Sequence, residues 1–203
     1  DSDGGAWRKR TKDTSWYNET LNTATRGSRR EFPAVAVIVV QDAGTNTDPM
    51  ITIYDGADPD LTMWMVFRNN NQGGGNDQTA SISIIYYAAG PYQTRKVAML
   101  NGVMVDCQFR SAGHINGLVK GVTRFNFIED SSIMMTDEGD FRRNGNLGDE
   151  RNVAKSYTKI STETIVQTQC NDVAMTVLPS APIDPDTGLP IPTIAVATDG
   201  GLS

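Results

Sequence analysis

Histidine occurs once among the 203 residues, at His114, and cysteine only twice, at Cys107 and Cys170. The lone histidine lies in the Gly-flanked stretch Ser111-Ala112-Gly113-His114-Ile115-Asn116-Gly117. Nucleophilic hydrolysis of the Ser-His-Asp or Cys-His kind would have to be built around that single turn. The two cysteines are 63 positions apart and form no Cys-x-x-Cys or Cys/His spacing, which excludes a structural zinc site of the usual pattern. A chain so poor in cysteine reads as carrying both as small buried apolar residues, unbridged. No apolar run approaches the roughly 20 residues that a membrane-spanning helix needs, and no signal-peptide pattern stands at the N-terminus. Gly73-Gly74-Gly75 is followed by no Lys-Ser or Lys-Thr, so it is a loop and not a phosphate cradle. Positive charge is scarce beyond residue 31. Residues 1–31 carry a balance of +2 and the rest −8, for a total of −6 and a pI near 4.7. An acidic body argues against general nucleic-acid binding, which needs a basic surface. Arg8-Lys9-Arg10 and Arg29-Arg30 read as solvated faces or as interface salt-bridge partners.

What is present is strand and turn. With 38% hydrophobic residues, 19 Gly and 9 Pro, the chain suits many short strands joined by turns. Residues 34–40, a β-branched run after Pro33, read as an inner strand covered on both faces. Residues 50–54 alternate and predict a strand with one wetter face. Strands are also expected over 62–67 and 82–87, with a flexible loop between them. Asn101-Gly102 between two apolar runs predicts a hairpin over 97–105. Further strands are expected over 117–122, 124–128, 132–135 and 172–178. Residues 137–152 are polar and Gly-rich and read as poorly ordered, and 150–165 is compatible with helix or strand. The last residues, through Thr198-Asp199-Gly200-Gly201, read as a strand, a tight turn and the first step of a returning strand, as at the opening of a further unit in a longer protein.

Val-Ala-Met recurs at 97–99 and 173–175, and Pro-x-β-branched-Ala-Val recurs at 33–37 and 192–196. Recurrence and strand count together favour stacked repeats. The expected fold is all-β: a partial β-propeller-like stack of antiparallel sheet units, with a β-sandwich or jelly roll as the alternative. The organisation expected is an irregular basic segment over 1–32, antiparallel β units over 33–171, and the truncated start of another unit over 172–203.

Several blocks carry a resemblance. Trp7 with Thr14-Ser15-Trp16-Tyr17-Asn18-Glu19, the stretch from Thr25 to Ile38, Ile51-Thr52-Ile53-Tyr54-Asp55-Gly56 with Trp64-Met65-Val66-Phe67, and Asn171 through Asp184 to Gly201 resemble blocks in virion structural and tail-associated proteins of marine tailed phages, cyanophage- and pelagiphage-like. The likeness covers most of the chain and departs over about residues 72–163. It implies a place in the virion, homo-oligomeric or other subunit partners, and no catalytic residue; some such proteins are flagged as lectin-like.

The expected function is therefore scaffold and subunit interface in a phage particle, without enzymatic activity and without a membrane span. A glycan-binding module for host adsorption is the alternative, with Trp16 and Tyr17 as the residues that would meet a host-surface glycan or a partner. A polysaccharide hydrolase ranks third, since it needs only two carboxylates across a cleft. No organic cofactor is expected. Calcium is a candidate ligand, because Asp55, Asp58 and Asp60, and again Asp184 and Asp186, crowd carboxylates on short loops. The competing reading of these acids is the Asx turn, in which each bonds its own backbone.

Overall fold

The computed structural model describes residues 5–41, 50–68, 95–108, 121–153 and 155–203. The histidine turn, the predicted strand over 82–87 and most of that over 117–122 lie outside them. Among these residues two short helices, α1 (Gly5–Thr11) and α2 (Ser15–Asn18), precede twelve strands. Strands β1 (Ala36–Gln41), β2 (Met50–Asp55) and β3 (Met63–Arg68) form the first sheet. The second holds β4 (Arg95–Leu100), β5 (Val103–Gln108), β6 (Val122–Asn126), β7 (Ser131–Thr136), β8 (Gly139–Arg143) and β9 (Tyr157–Ser161) in chain order. The third holds β10 (Cys170–Thr176), β11 (Thr193–Thr198) and β12 (Gly201–Leu202). Every pairing among the described strands is antiparallel.

The sheets stack face to face in chain order, with the second in the middle. One face of it packs Met104, Phe125 and Phe127 against Ile51, Ile53, Trp64 and Phe67 of the first sheet. The other packs Val103, Val105, Cys107 and Val122 against Cys170, Val173 and Val196 of the third. Side chains alternate across a strand, so β5 sends its odd-numbered residues to one layer and Met104 to the other. Each fully buried large apolar side chain contributes about 1.5–3 kcal/mol, and both seams of the stack consist of such residues.

The all-β class holds. The described residues share face-to-face stacking in chain order with a propeller, but the six-stranded middle sheet departs from a four-stranded blade. The Asn101-Gly102 hairpin forms as expected: both residues have positive φ, 47° and 77°, joining β4 to β5. The closing hairpin forms as well, pairing Ala197 with Leu202 and Thr198 with Gly201.

Other expectations change. Residues 34–40 are not an inner strand: among the described residues β1 lies at an edge of its sheet and alternates half-buried with exposed, whereas β2 is the central strand and is buried at Ile51, Thr52, Ile53 and Asp55. Helix occurs at the N-terminus, and 150–165 supplies a 3-10 turn over Asp149–Asn152 and the edge strand β9. The polar 137–152 segment contains β8, which buries Phe141 and Arg143.

The cysteines are also corrected. Cys107 and Cys170 form a disulfide, with their Cα atoms 5.7 Å apart. Stacking the third sheet on the second brings β10 over β5, so two residues distant in sequence meet at the centre of that seam.

Candidate functional site

Trp16 and Tyr17 do not form a surface platform. Trp16 is fully buried and Tyr17 is 7% exposed. The Asp130 carboxylate, in the turn between β6 and β7, accepts from the Ser15 amide at 2.7 Å and the Ser15 hydroxyl at 2.8 Å, which anchors the start of α2. Trp16 then enters the seam between the first two sheets, donates its indole N–H to the Phe127 carbonyl at 2.7 Å, and packs edge-on against Trp64 and Phe127. Neither face of that ring is open to a sugar, so the expectation for Trp16 and Tyr17 as a glycan contact is withdrawn.

Buried charge lies beside this aromatic cluster. Arg26 and Arg151 are both fully buried and flank Glu19. Arg151 donates to Glu19 Oε2 at 2.6 Å and to the carbonyls of Val66, Gly148 and Thr25 at 2.8, 2.6 and 2.6 Å. Arg26 donates to the Trp64 carbonyl at 2.7 Å and stacks over the Trp64 ring. Burial brings Arg26 down to about 10, against the pull of Glu19 and with a push from Arg151. The Arg26 guanidinium stays charged at neutral pH, beside that of Arg151. Their task is to satisfy backbone carbonyls where the N-terminal segment crosses β3, and Gly27 is required there because a Cβ would overlap the Met63 carbonyl. In the sequence Arg26 is one of the basic residues of the N-terminal segment, and nothing in its neighbours signals burial.

The acidic loops behave as turns. Asp55 is buried, accepts from Arg29 at 2.5 Å and takes the Ala57 amide at 3.0 Å. Asp58 accepts from the Thr62 hydroxyl and from the Asp60 amide, bonds that hold its carboxyl below the usual carboxylate range. Asp60 is exposed. Asp184 accepts from the amides of Asp186 and Thr187 at 2.8 and 3.2 Å, and Asp186 pairs with Arg10 at 3.0 Å. Among the described residues no three acidic, histidine or cysteine side chains converge as a metal group.

The concave surface lies elsewhere, over the Asn101-Gly102 turn. A cavity of about 170 Å³ is lined by Arg124, Asn126, Glu129 and Asp184 with an aliphatic wall of Ile191 and Ile194. A second, of about 210 Å³, is lined by Trp7, Phe32, Pro33 and Gly102. Asn101 and Leu189 border both, so the two adjoin. Trp7 stacks on Phe32 at 5.1 Å and lies over Gly102, where a Cβ would strike its ring. Asn101 donates to the Pro190 carbonyl at 2.8 Å, which fixes the 182–192 segment across the hairpin. Trp7 was visible in the sequence as an aromatic; its company was not, since Arg124 and Asp184 are 60 residues apart and meet only through stacking of the second and third sheets.

No helix among the described residues is long and apolar enough to cross a membrane. No protein-family model, curated protein or solved structure matches this chain.

Proposed function

We propose that the chain is a segment of a phage virion structural component, tail or tail-associated, that serves as scaffold and subunit interface and not as an enzyme. The observation that carries this reading is the row Val35, Val37 and Val39 on the outer face of the first sheet, exposed at 55%, 39% and 49%. Ala36, Ile38 and Val40 on the other side of the same strand face the core. Among the described residues β1 is also an unpaired sheet edge. An apolar row on an open edge is a pairing surface that monomeric proteins avoid, and a second copy of the chain would cover it. Layers joined by a disulfide on one side and by buried arginines on the other supply the rigidity that such a part needs.

The disulfide counts against a part that assembles and stays in a reducing cytoplasm. The reading accordingly requires that the Cys107–Cys170 bond closes after the particle leaves the cell.

Analytical ultracentrifugation tests the interface. The expected result is concentration-dependent self-association at roughly micromolar protein, abolished by Val37→Lys with Val39→Lys while the circular dichroism spectrum is kept. A wild-type chain that stays monomeric throughout that range, or a double variant that associates as well as wild type, removes the reading.

A further inference from the structure

The paired cavities over the Asn101-Gly102 turn have no part in the scaffold reading, and their chemistry is specific. Arg124 makes no hydrogen bond or ion pair with another described residue; the Asp140 carboxyl, raised by burial, feels the opposing pull of Arg124. Asn126 spends its side-chain oxygen on the amides of Ile128 and Glu129, at 3.0 and 3.1 Å, which leaves its two N–H donors available. Asp184 uses one carboxylate oxygen on its own turn, and Glu129 is exposed with only a 3.4 Å contact from the Ser131 hydroxyl. The polar cavity thus offers donors from Arg124 and Asn126 and acceptors from Glu129, Asp184 and the side-chain oxygen of Asn101. The adjoining cavity offers the indole of Trp7.

From this set we infer that the groove binds a neutral saccharide of two rings, with one ring packed on Trp7 and the hydroxyls of the other held by Arg124, Asn126 and Glu129. A ring hydroxyl donates one hydrogen bond and accepts others at the same time, so it satisfies a carboxylate and a guanidinium together. An apolar occupant would leave these groups desolvated and unpaired, at about 1–3 kcal/mol each. An anionic ligand would meet Arg124 but be repelled by Glu129 and Asp184, and a cation would meet the reverse. The C–H face of a sugar ring suits an aromatic wall, which combines apolar area with a polar tip. Each cavity is smaller than the roughly 300 Å³ of a drug-sized site, so one ring occupies each and a longer glycan extends into solvent. The site does not depend on self-association through β1.

The test is a titration of the ¹⁵N-labelled chain, followed by NMR, with maltose, cellobiose, lactose and diacetylchitobiose to about 50 mM, a range that detects millimolar affinity. Glucuronate is the anionic control. The expected result is that at least one neutral disaccharide gives saturable shifts at the Trp7 indole, Asn101, Gly102 and Asn126, and glucuronate gives none. Arg124→Met and Glu129→Gln should each raise the dissociation constant by about tenfold. Both change partly or fully solvent-exposed side chains, which keeps the test informative where Trp7→Leu disturbs the packing on Phe32. The inference is overturned if no disaccharide shifts these resonances, if both variants bind as wild type does, or if glucuronate binds more tightly than every neutral sugar.

Discussion

Strands β1 and β5 have six residues each and look alike on paper: Ala36-Val37-Ile38-Val39-Val40-Gln41 against Val103-Met104-Val105-Asp106-Cys107-Gln108. The first is unbroken aliphatic sequence and reads as a strand covered on both faces. The second carries an acid near its middle. The structure reverses the expectation: β1 leaves Val37 and Val39 exposed, while β5 buries every residue from Val103 to Cys107, Asp106 included. The difference comes from layer order. β5 lies inside the central sheet and has a sheet packed on each face, whereas β1 is, among the described residues, the edge strand of an outer layer. Coverage of a strand is a property of what stacks on it, and its own composition reports that only loosely.

Four experiments sharpen or break this comparison. The largest effect belongs to the tie between β5 and the third sheet. Replacing Cys107 and Cys170 together by Ala opens a loop of 63 residues and should cost about 4 kcal/mol in denaturant unfolding; an unchanged midpoint would mean that the bond contributes nothing to holding the third layer. On the opposite face of β5, Met104→Ala should cost about 2–5 kcal/mol, against less than about 0.5 kcal/mol for Val39→Ala on β1. Equal costs would erase the distinction between the two strands. The smallest effect is expected at the solvent-facing β2–β3 turn. The folded pKa of Asp58 lies below its ordinary value near 3.8, so its contribution is present above that value and is lost as pH falls through the lower folded one. Asp58→Asn should therefore lower the thermal midpoint slightly at pH 7, and the gap should close in strong acid; a gap that is constant with pH would show that its hydrogen bonds to Thr62 and Asp60 do not depend on ionisation.

What could be read from the chain follows the range over which each signal acts. The Asn101-Gly102 hairpin, the turns at Asp55 and Asp184 and the strand at 172–178 are local, set by turn chemistry and β-branched runs, and they appear close to where they are expected. β8 was hidden because Gly139-Asp140-Phe141-Arg142-Arg143 places a charge at three of five positions, and only its neighbours in the sheet make it a strand. Trp16 lies outside any strand pattern, so its burial depends on Asp130 and Phe127, more than 110 residues away. The cysteine bridge and the groove that joins Trp7 to Arg124 are likewise products of stacking, and no spacing in the sequence carries them. Trp7, which the N-terminal block contributes to the groove, is half-buried and stands nine residues before Trp16.

Native-state hydrogen exchange tests the central claim, that β5 is shielded by a sheet on each face while β1 is not. The amides of Val103 to Cys107 should exchange only through global unfolding, at rates that follow the denaturant dependence of the whole chain, while those of β1 exchange through a local opening of lower free energy. Equal protection of the two strands, or faster exchange in β5, would contradict the three-layer stack.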